Sequence, residues 1–339
     1  MLSRVADAIY WMSRYVERAD NIARFVDVNL ALSIDLPEAN EQWLPIIQAA
    51  GDEELFKKSY SEATRENVLR FLTFDRSNPN SIQSALAAAR SNARTVREVI
   101  SSEMWEQVNK TYLAVHDASA TSAALETPHD FFTSVKQASQ LLIGITYVTM
   151  THNEAWHFGR LGRLVERSDQ TTRILDVKHF MSEKLSMIND GAVDEVQWTA
   201  LLRSASAFEM YRKRFGQVSP QRVVEFLLFS RRFPRSVRYC LRKAERSLHA
   251  ITGSPIGTAS SSAERALGRL AAEVEYGDIQ EVLSSGLHGW LDELQIKMNR
   301  VGNAIYETFF AAAAAATDAQ RDEELEARYS VESIRPREG

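Results

Sequence analysis

Glu17-Arg18 and Glu166-Arg167 are the residues of this chain whose types and spacing suit chemistry best. On a helix, Arg14, Glu17, Arg18, Asn21 and Arg24 share one broad face, and Arg163, Glu166, Arg167, Gln170 and Arg173 reproduce it. A guanidinium is a planar fork that grips a carboxylate or phosphate through two parallel hydrogen bonds. A glutamate among such forks can orient them, hold an amine, or act as a general base. Asp20 reaches Arg24, and Asp169 reaches Arg173, at the i,i+4 spacing that joins one helical turn to the next.

The two strips are copies. Arg14–Val28 and Arg163–Val177, offset by 149 (Glu166 minus Glu17), agree at eight of fifteen positions. Unrelated windows of average composition agree at roughly one position in fifteen. A second echo joins Phe71-Leu72-Thr73-Phe74-Asp75-Arg76, Pro79 and Ser81 to Phe226-Leu227-Leu228-Phe229-Ser230-Arg231, Pro234 and Ser236, offset by 155. Trp43 and Trp198 share that second offset. Order and residue type are both kept, so the expectation is a tandem duplication with pseudo-two-fold symmetry. A first repeat is expected over 1–149, a second over 150–316, and a charged, disordered tail low in apolar residues over 317–339.

Three readings of the strips stand side by side. They are solvated faces, contributing a few tenths of a kcal/mol per pair. Alternatively they meet at the repeat interface as a structural ion network, in which desolvation offsets the Coulombic gain. Or they line a charged cleft that binds a ligand through Arg14, Glu17, Arg18, Arg24, Arg163, Glu166, Arg167 and Arg173, with Glu17 and Glu166 as the candidate catalytic groups. Arg76, Arg231 and Arg235 are further candidate binding residues, because helices opening beside them offer free N–H groups to an anion. Ordinary capping by Ser81 and Ser236 is the plainer account of those turns. Arg90, Arg94 and Arg97 recur at helical spacing, either enlarging the basic surface or standing in solvent.

Other chemistry lacks support. His152 and His157 are about 140° apart on a helix, poor for sharing one metal, and no metal ligand set is expected. HExxH, CxxC, GxGxxG and Walker motifs do not occur, so no cofactor is expected. Cys240 is the single cysteine, which precludes an internal disulfide and suits a cytoplasmic setting. A net charge of −5 with interspersed signs argues against nucleic-acid binding. No apolar run approaches the ~20 residues of a membrane span, and residues 1–16 carry Arg4, Asp7 and Arg14, unlike a secretory signal.

The elements that must position these residues are helices. Only eight Pro and fourteen Gly interrupt 339 residues, and alternating strand patterns are missing. Val5, Ala8, Met12, Val16, Ala19, Ala23, Val26 and Leu30 form one apolar stripe and predict a helix from Leu2 to about Ile34. The second Glu-Arg helix is expected from about Asn153 to Lys184. Further helices are expected over Gln42–Ala50, Asn67–Phe74, Ser81–Glu103, Met104–Thr121, Pro128–Met150, Trp198–Tyr211, Pro234–Ile251, Ala263–Ser285 and Trp290–Phe310. Pro79 and Pro234 are placed where a helix opens. The fold class is all-α, two multi-helix bundle repeats.

Taken together, Met1-Leu2-Ser3-Arg4, Tyr10-Trp11, Arg14-Tyr15-Val16-Glu17-Arg18-Ala19, Asp27-Val28-Asn29-Leu30, Phe74-Asp75 with Asn78-Pro79, Met104-Trp105-Glu106 with Asn109, and Gly162-Arg163 leading to Glu166-Arg167 resemble the bacterial alpha-E domain family. Phe233-Pro234-Arg235-Ser236-Val237 and Tyr239-Cys240-Leu241 extend the likeness, which runs from residue 1 to about 310. Thr151-His152-Asn153 departs from it, where a more charged segment is expected. Members of that family are usually encoded beside a circularly permuted ATP-grasp ligase and transglutaminase-like or peptidase-like proteins. The resemblance therefore implies a role in peptide synthesis or tagging, with Glu17-Arg18 and Glu166-Arg167 as signature residues. The leading expectation is a helical, non-catalytic or co-catalytic partner of the ligase that binds it, or its peptide or amino-acid substrate, through the Glu-Arg cleft. The alternatives are an enzyme with Glu17 or Glu166 as general base, and a scaffold whose pairs are structural.

Overall fold

The computed structural model describes residues 1–35, 43–120, 127–185 and 191–311. The expected tail and most of Ala311–Ala316 lie outside them. Every element among the described residues is a helix. In chain order these are α1 (Ser3–Asp35), α2 (Leu44–Ala50), α3 (Glu53–Ser59), α4 (Arg65–Thr73), α5 (Ile82–Thr95), α6 (Ser102–Ser119) and α7 (Pro128–Thr149), then α8 (Glu154–Leu185), α9 (Gly191–Ser204), α10 (Phe208–Phe215), α11 (Pro220–Phe229), α12 (Val237–Thr252), α13 (Ser262–Tyr276), α14 (Ile279–Ser285) and α15 (Leu287–Phe309). Among the described residues no helix is long and apolar enough to cross a membrane.

Local chemistry sets the boundaries. The hydroxyls of Thr64, Ser81, Ser101 and Ser236 each accept a hydrogen bond from the backbone N–H three residues on. Ser261 and Glu264 complete a capping box at α13. These caps correct several expected limits. Pro79 and Pro234 precede their helices by more than a residue, because Ser81 and Ser236 take the cap position. The expected helix Ser81–Glu103 stops at Thr95, since Ser101 turns extended and starts α6. Trp198–Tyr211 divides into α9 and α10 at Ser206, which adopts a φ of 49°. Ala263–Ser285 divides at Gly277 into α13 and α14.

The long helices α1 and α8 pack against each other at the centre. Along them the register rises together. Gly159 lies beside Ile9 and Ser13, Gly162 against Tyr10, and Glu166 between Arg14 and Arg18, so the two helices run in the same direction at this contact. A Cβ at Gly162 would collide with the Tyr10 carbonyl, so glycine permits the close approach. Helices α5 and α7 cover α1, while α12 and α15 cover α8. The short helices cross over: α2 packs on α8 and α9 packs on α1. Two apolar clusters result. One joins Ala19, Ala23 and Val26 of α1 to Trp43, Phe56, Phe71 and Ile82, and the other joins Ile9 and Met12 to α8 and the later helices.

Candidate functional site

The apolar stripe of α1 accounts for only part of its buried surface. Glu17, Asp20, Asn21, Arg24 and Asp27 on the other faces are buried as well, because α8, α9, the turn carrying Arg235 and, at Asp27, α7 close over them. The strips are therefore not solvated faces. Glu17 and Glu166 are each 1% exposed. Charges so far from water demand opposite charges at hydrogen-bond distance.

Each glutamate finds them on the other long helix. Arg167 donates from Nε to Glu17 Oε1 at 2.8 Å and from Nη2 to Oε2 at 2.7 Å. In the reciprocal pair, Arg18 donates from Nε to Glu166 Oε1 at 2.7 Å and from Nη2 to Oε2 at 3.1 Å. Both are two-pronged. Beyond them the surroundings differ. Arg14 Nε adds a third bond to Glu166 at 2.8 Å. Its counterpart Arg163 forms no such bond; instead Arg235 approaches Glu17 Oε1 at 3.3 Å, Asn21 at 2.8 Å and Asp20 at 2.6 Å. At the offset of 155, Arg235 corresponds to Asn80, which accepts from Arg18 Nη1 at 2.8 Å and donates to Asp52 at 2.9 Å.

Arg24 and Arg173 complete the strips. Their Nε atoms each donate to an aspartate one turn earlier, Asp20 and Asp169, at 2.8 Å. Each then reaches a crossing helix. Arg173 Nη1 donates to the Ala50 carbonyl at 3.1 Å, at the end of α2, and Arg24 Nη1 donates to Ser206 after α9. A cation at a helix C-terminus meets the negative end of its dipole. Gly51 and Ser206, both at positive φ and 155 apart, are the turns that bring those ends in.

Electrostatics follow from this arrangement. Burial works against ionisation of Glu166, but the Arg18 and Arg14 guanidiniums outweigh it and hold its carboxyl at about 2. Burial opposes Glu17 likewise, and Arg167 and Arg235 pull it far below the usual carboxylate range. Groups locked this firmly as anions hold charge in place and are poor proton acceptors near neutral pH. Burial pushes the Cys240 thiol up to about 12, so it behaves as a small apolar residue.

Beside the network lies a cleft of about 420 Å³. Arg14, Arg18, Asp169 and Arg173 line its charged side; Tyr10, Trp11, Tyr306 and Phe310 line its aromatic side, with Asn299, Gly302 and Asn303 from α15. The Arg14 guanidinium lies 4.7 Å from the Trp11 ring. Half-buried cations with spare donors next to flat apolar walls suit a ligand carrying a carboxylate and an apolar group.

Other sequence candidates fall elsewhere. Arg76 is exposed on its turn, and Arg231 is 73% exposed, 3.3 Å from Glu275. Arg90 donates to Asn109 at 2.7 Å and lies over Tyr112, and Arg97 lies over Trp105, so these two serve the α5–α6 contact while Arg94 stands in solvent. Asn78 braces its turn by donating to the Phe71 carbonyl. Asp176, His288 and Asp292 come together, but His288 Nδ1 faces Asp176 at 2.7 Å while Nε2 faces Asp292 at 3.6 Å. His288 Nδ1 is thus hydrogen-bonded to Asp176, while Asp292 lies beyond hydrogen-bond distance of the opposite ring nitrogen. Asn80, Asp52, Tyr10 and Trp11 were not among the site residues expected from sequence. The offset of 155 linking Asn80 to Arg235 was the available signal for the first.

A family model described as Alpha-E, a predicted alpha-helical domain with a conserved ER motif, matches residues 1–310. The chain belongs to this family. It is similar to uncharacterized proteins of Mycobacterium bovis and Mycobacterium tuberculosis, 26% identical over 317 residues, covering 86% of this chain and 34% of theirs. The chain thus spans about a third of the length of these curated relatives. No solved structure matches it.

Proposed function

We propose that this Alpha-E chain is a cytoplasmic accessory subunit of an ATP-grasp amide ligase system, and that it holds a peptide or amino-acid substrate by its carboxylate in the cleft beside the Glu-Arg network. The single observation that carries this reading is the cleft itself, where Arg14, Arg18 and Arg173 stand against an aromatic wall. Glu17 and Glu166 act as anchors that fix the guanidiniums, with Arg167, Arg24 and Arg235 behind them. Fixed forks lose little entropy on gripping a planar anion. A general-base role for either glutamate is the weaker alternative, because both are held as firmly paired anions.

Tandem duplication with pseudo-two-fold symmetry is part of the proposal, with repeats over 1–149 and 150–316. Its support is the reciprocity of Glu17–Arg167 and Glu166–Arg18, the matched caps Ser81 and Ser236, and the exchanged helices α2 and α9. The exposed arginines Arg231 and Arg232 rim a groove of about 800 Å³ floored by Phe229 and Phe233, and we assign the ligase contact to this face.

The test has two arms. Trp11 fluorescence should respond saturably to short peptides with a free C-terminal carboxylate and at least tenfold more weakly to the same peptides amidated. Co-expression with the circularly permuted ATP-grasp ligase should yield a complex on gel filtration. Equal response to acid and amide ends the carboxylate assignment; separate elution at micromolar concentrations ends the ligase assignment.

A further inference from the structure

The central network is unbalanced. Arg14, Arg18, Arg24, Arg163, Arg167, Arg173 and Arg235 are seven guanidiniums, while Glu17, Asp20, Glu166 and Asp169 are four carboxylates, with Asp52 a fifth reached through Asn80. The surplus has an address. Arg163 stands 149 residues after Arg14, yet where Arg14 pairs with Glu166, Arg163 makes no hydrogen bond or ion pair among the described residues, and its Nε is buried without a partner. Arg235 occupies the position on Glu17 that symmetry would give to Arg163.

Arg163 lines a small, partly open recess with room for about 30 Å³ between α1, α7 and α8. Ser139 on α7 lines it too, 4% exposed, its Oγ likewise buried without a hydrogen bond. Arg160 and Ser13 add further donors to the wall, while Thr146 gives its hydroxyl proton to the Leu142 carbonyl at 2.8 Å. The carboxylate of the lining, Glu17, is already saturated by Arg167 and Arg235. A volume of this order admits one water-sized guest. The wall is rich in donors and carries surplus positive charge, so it favours a guest that only accepts. Burial, and then repulsion from Arg167, pushes Arg163 down to about 10, the penalty that a bound negative charge would relieve.

We propose that this recess binds one halide-sized monovalent anion, chloride in the cell, held by Arg163 Nε and the Ser139 hydroxyl. The anion offsets one of the surplus positive charges on the side of the network that lacks the Arg14–Glu166 bond, and it ties α7 to α8. Its binding is independent of the substrate cleft, which lies on the opposite flank of the α1–α8 contact among α15 residues.

The experiment measures thermal unfolding of the whole chain at constant ionic strength while sodium chloride replaces sodium gluconate from 1 to 100 mM. A saturable rise in Tm of about 5 °C is expected, since a native-state ligand stabilises by mass action. Sodium bromide should reproduce the rise, and bromide should give one anomalous peak beside Arg163 in a crystal. Arg163→Gln should flatten the response, and Ser139→Ala should shift its midpoint to higher chloride by about tenfold. Identical Tm in gluconate and chloride, an unchanged response in Arg163→Gln, or an equal rise with acetate or phosphate would each overturn the proposal. Should Arg163→Gln fail to fold, Ser139→Ala decides: an unmoved midpoint refutes the site.

Discussion

Glu17 and Glu166 are where single atoms matter most. Each accepts a two-pronged guanidinium in a place that water does not reach. Glu17→Gln keeps the shape but leaves Arg167 and Arg235 facing a neutral amide. Removing one partner of a buried pair costs about 3–5 kcal/mol, so urea unfolding of Glu17→Gln or Glu166→Gln should show a loss of that order. Replacing exposed Asp117 by Asn should change stability by less than about 0.5 kcal/mol. The same carboxylates set the acid response. Their folded pKa values lie below their ordinary ones, so their contribution is complete above about 4.5 and drains away as pH falls towards 2. Urea midpoints should hold between pH 7 and 5 and drop steeply from pH 4 to 3 in the wild type, with a shallower drop in Glu166→Gln. A wild-type midpoint that is flat down to pH 3 contradicts the burial of these ions.

At the scale of elements, the decisive feature is how closely α1 and α8 approach. Alanine normally stabilises a helix relative to glycine by up to about 1 kcal/mol. At Gly162 the added methyl meets the Tyr10 backbone, and the helices must part. Overpacking of this kind costs about 1–3 kcal/mol, and it also loosens the glutamate pairs one turn further on. Gly162→Ala should therefore lower Tm by several degrees, whereas Gly144→Ala, with open space around it, should leave Tm level or raise it. Equal Tm values for the two variants would mean that the close contact carries no weight. The exchanged short helices add a second tie, because Arg173 and Arg24 each hold the end of a helix from the opposite half of the chain.

Over the whole molecule, charge is unevenly shared. The chain is net acidic, yet Arg231, Arg232, Arg238, Arg242, Lys243 and Arg246 crowd one face, with Glu275 bridging Arg231 and Arg238. A concentrated basic face on an acidic protein steers an acidic partner. The double variant Arg231→Glu, Arg232→Glu alters exposed side chains, so Tm should move by less than about 2 °C while retention of the ligase on an affinity column falls at least tenfold. Undiminished retention would remove this face from the proposal.

Much of the protein is written locally. The caps at Ser81 and Ser236 are local hydroxyls beside the N–H they satisfy, and the Glu-Arg strips are set by helical spacing, so both were legible without coordinates, whereas the helix start at Ser101 was not. The all-helical class follows from the same periodicity. Asp20–Arg24 and Asp169–Arg173 follow from i,i+4 spacing, but tertiary structure alone decided which charges meet across helices. That Glu17 pairs with Arg167 rather than with its neighbour Arg18, that Arg235 displaces Arg163, and that Asn80 stands in for Arg235 depends on contacts between residues 62 to 218 positions apart. Side-chain pairing across a buried seam is a competition among all groups brought within about 3 Å. Sequence names the competitors, but only the packing of α1 on α8 settles which of them win.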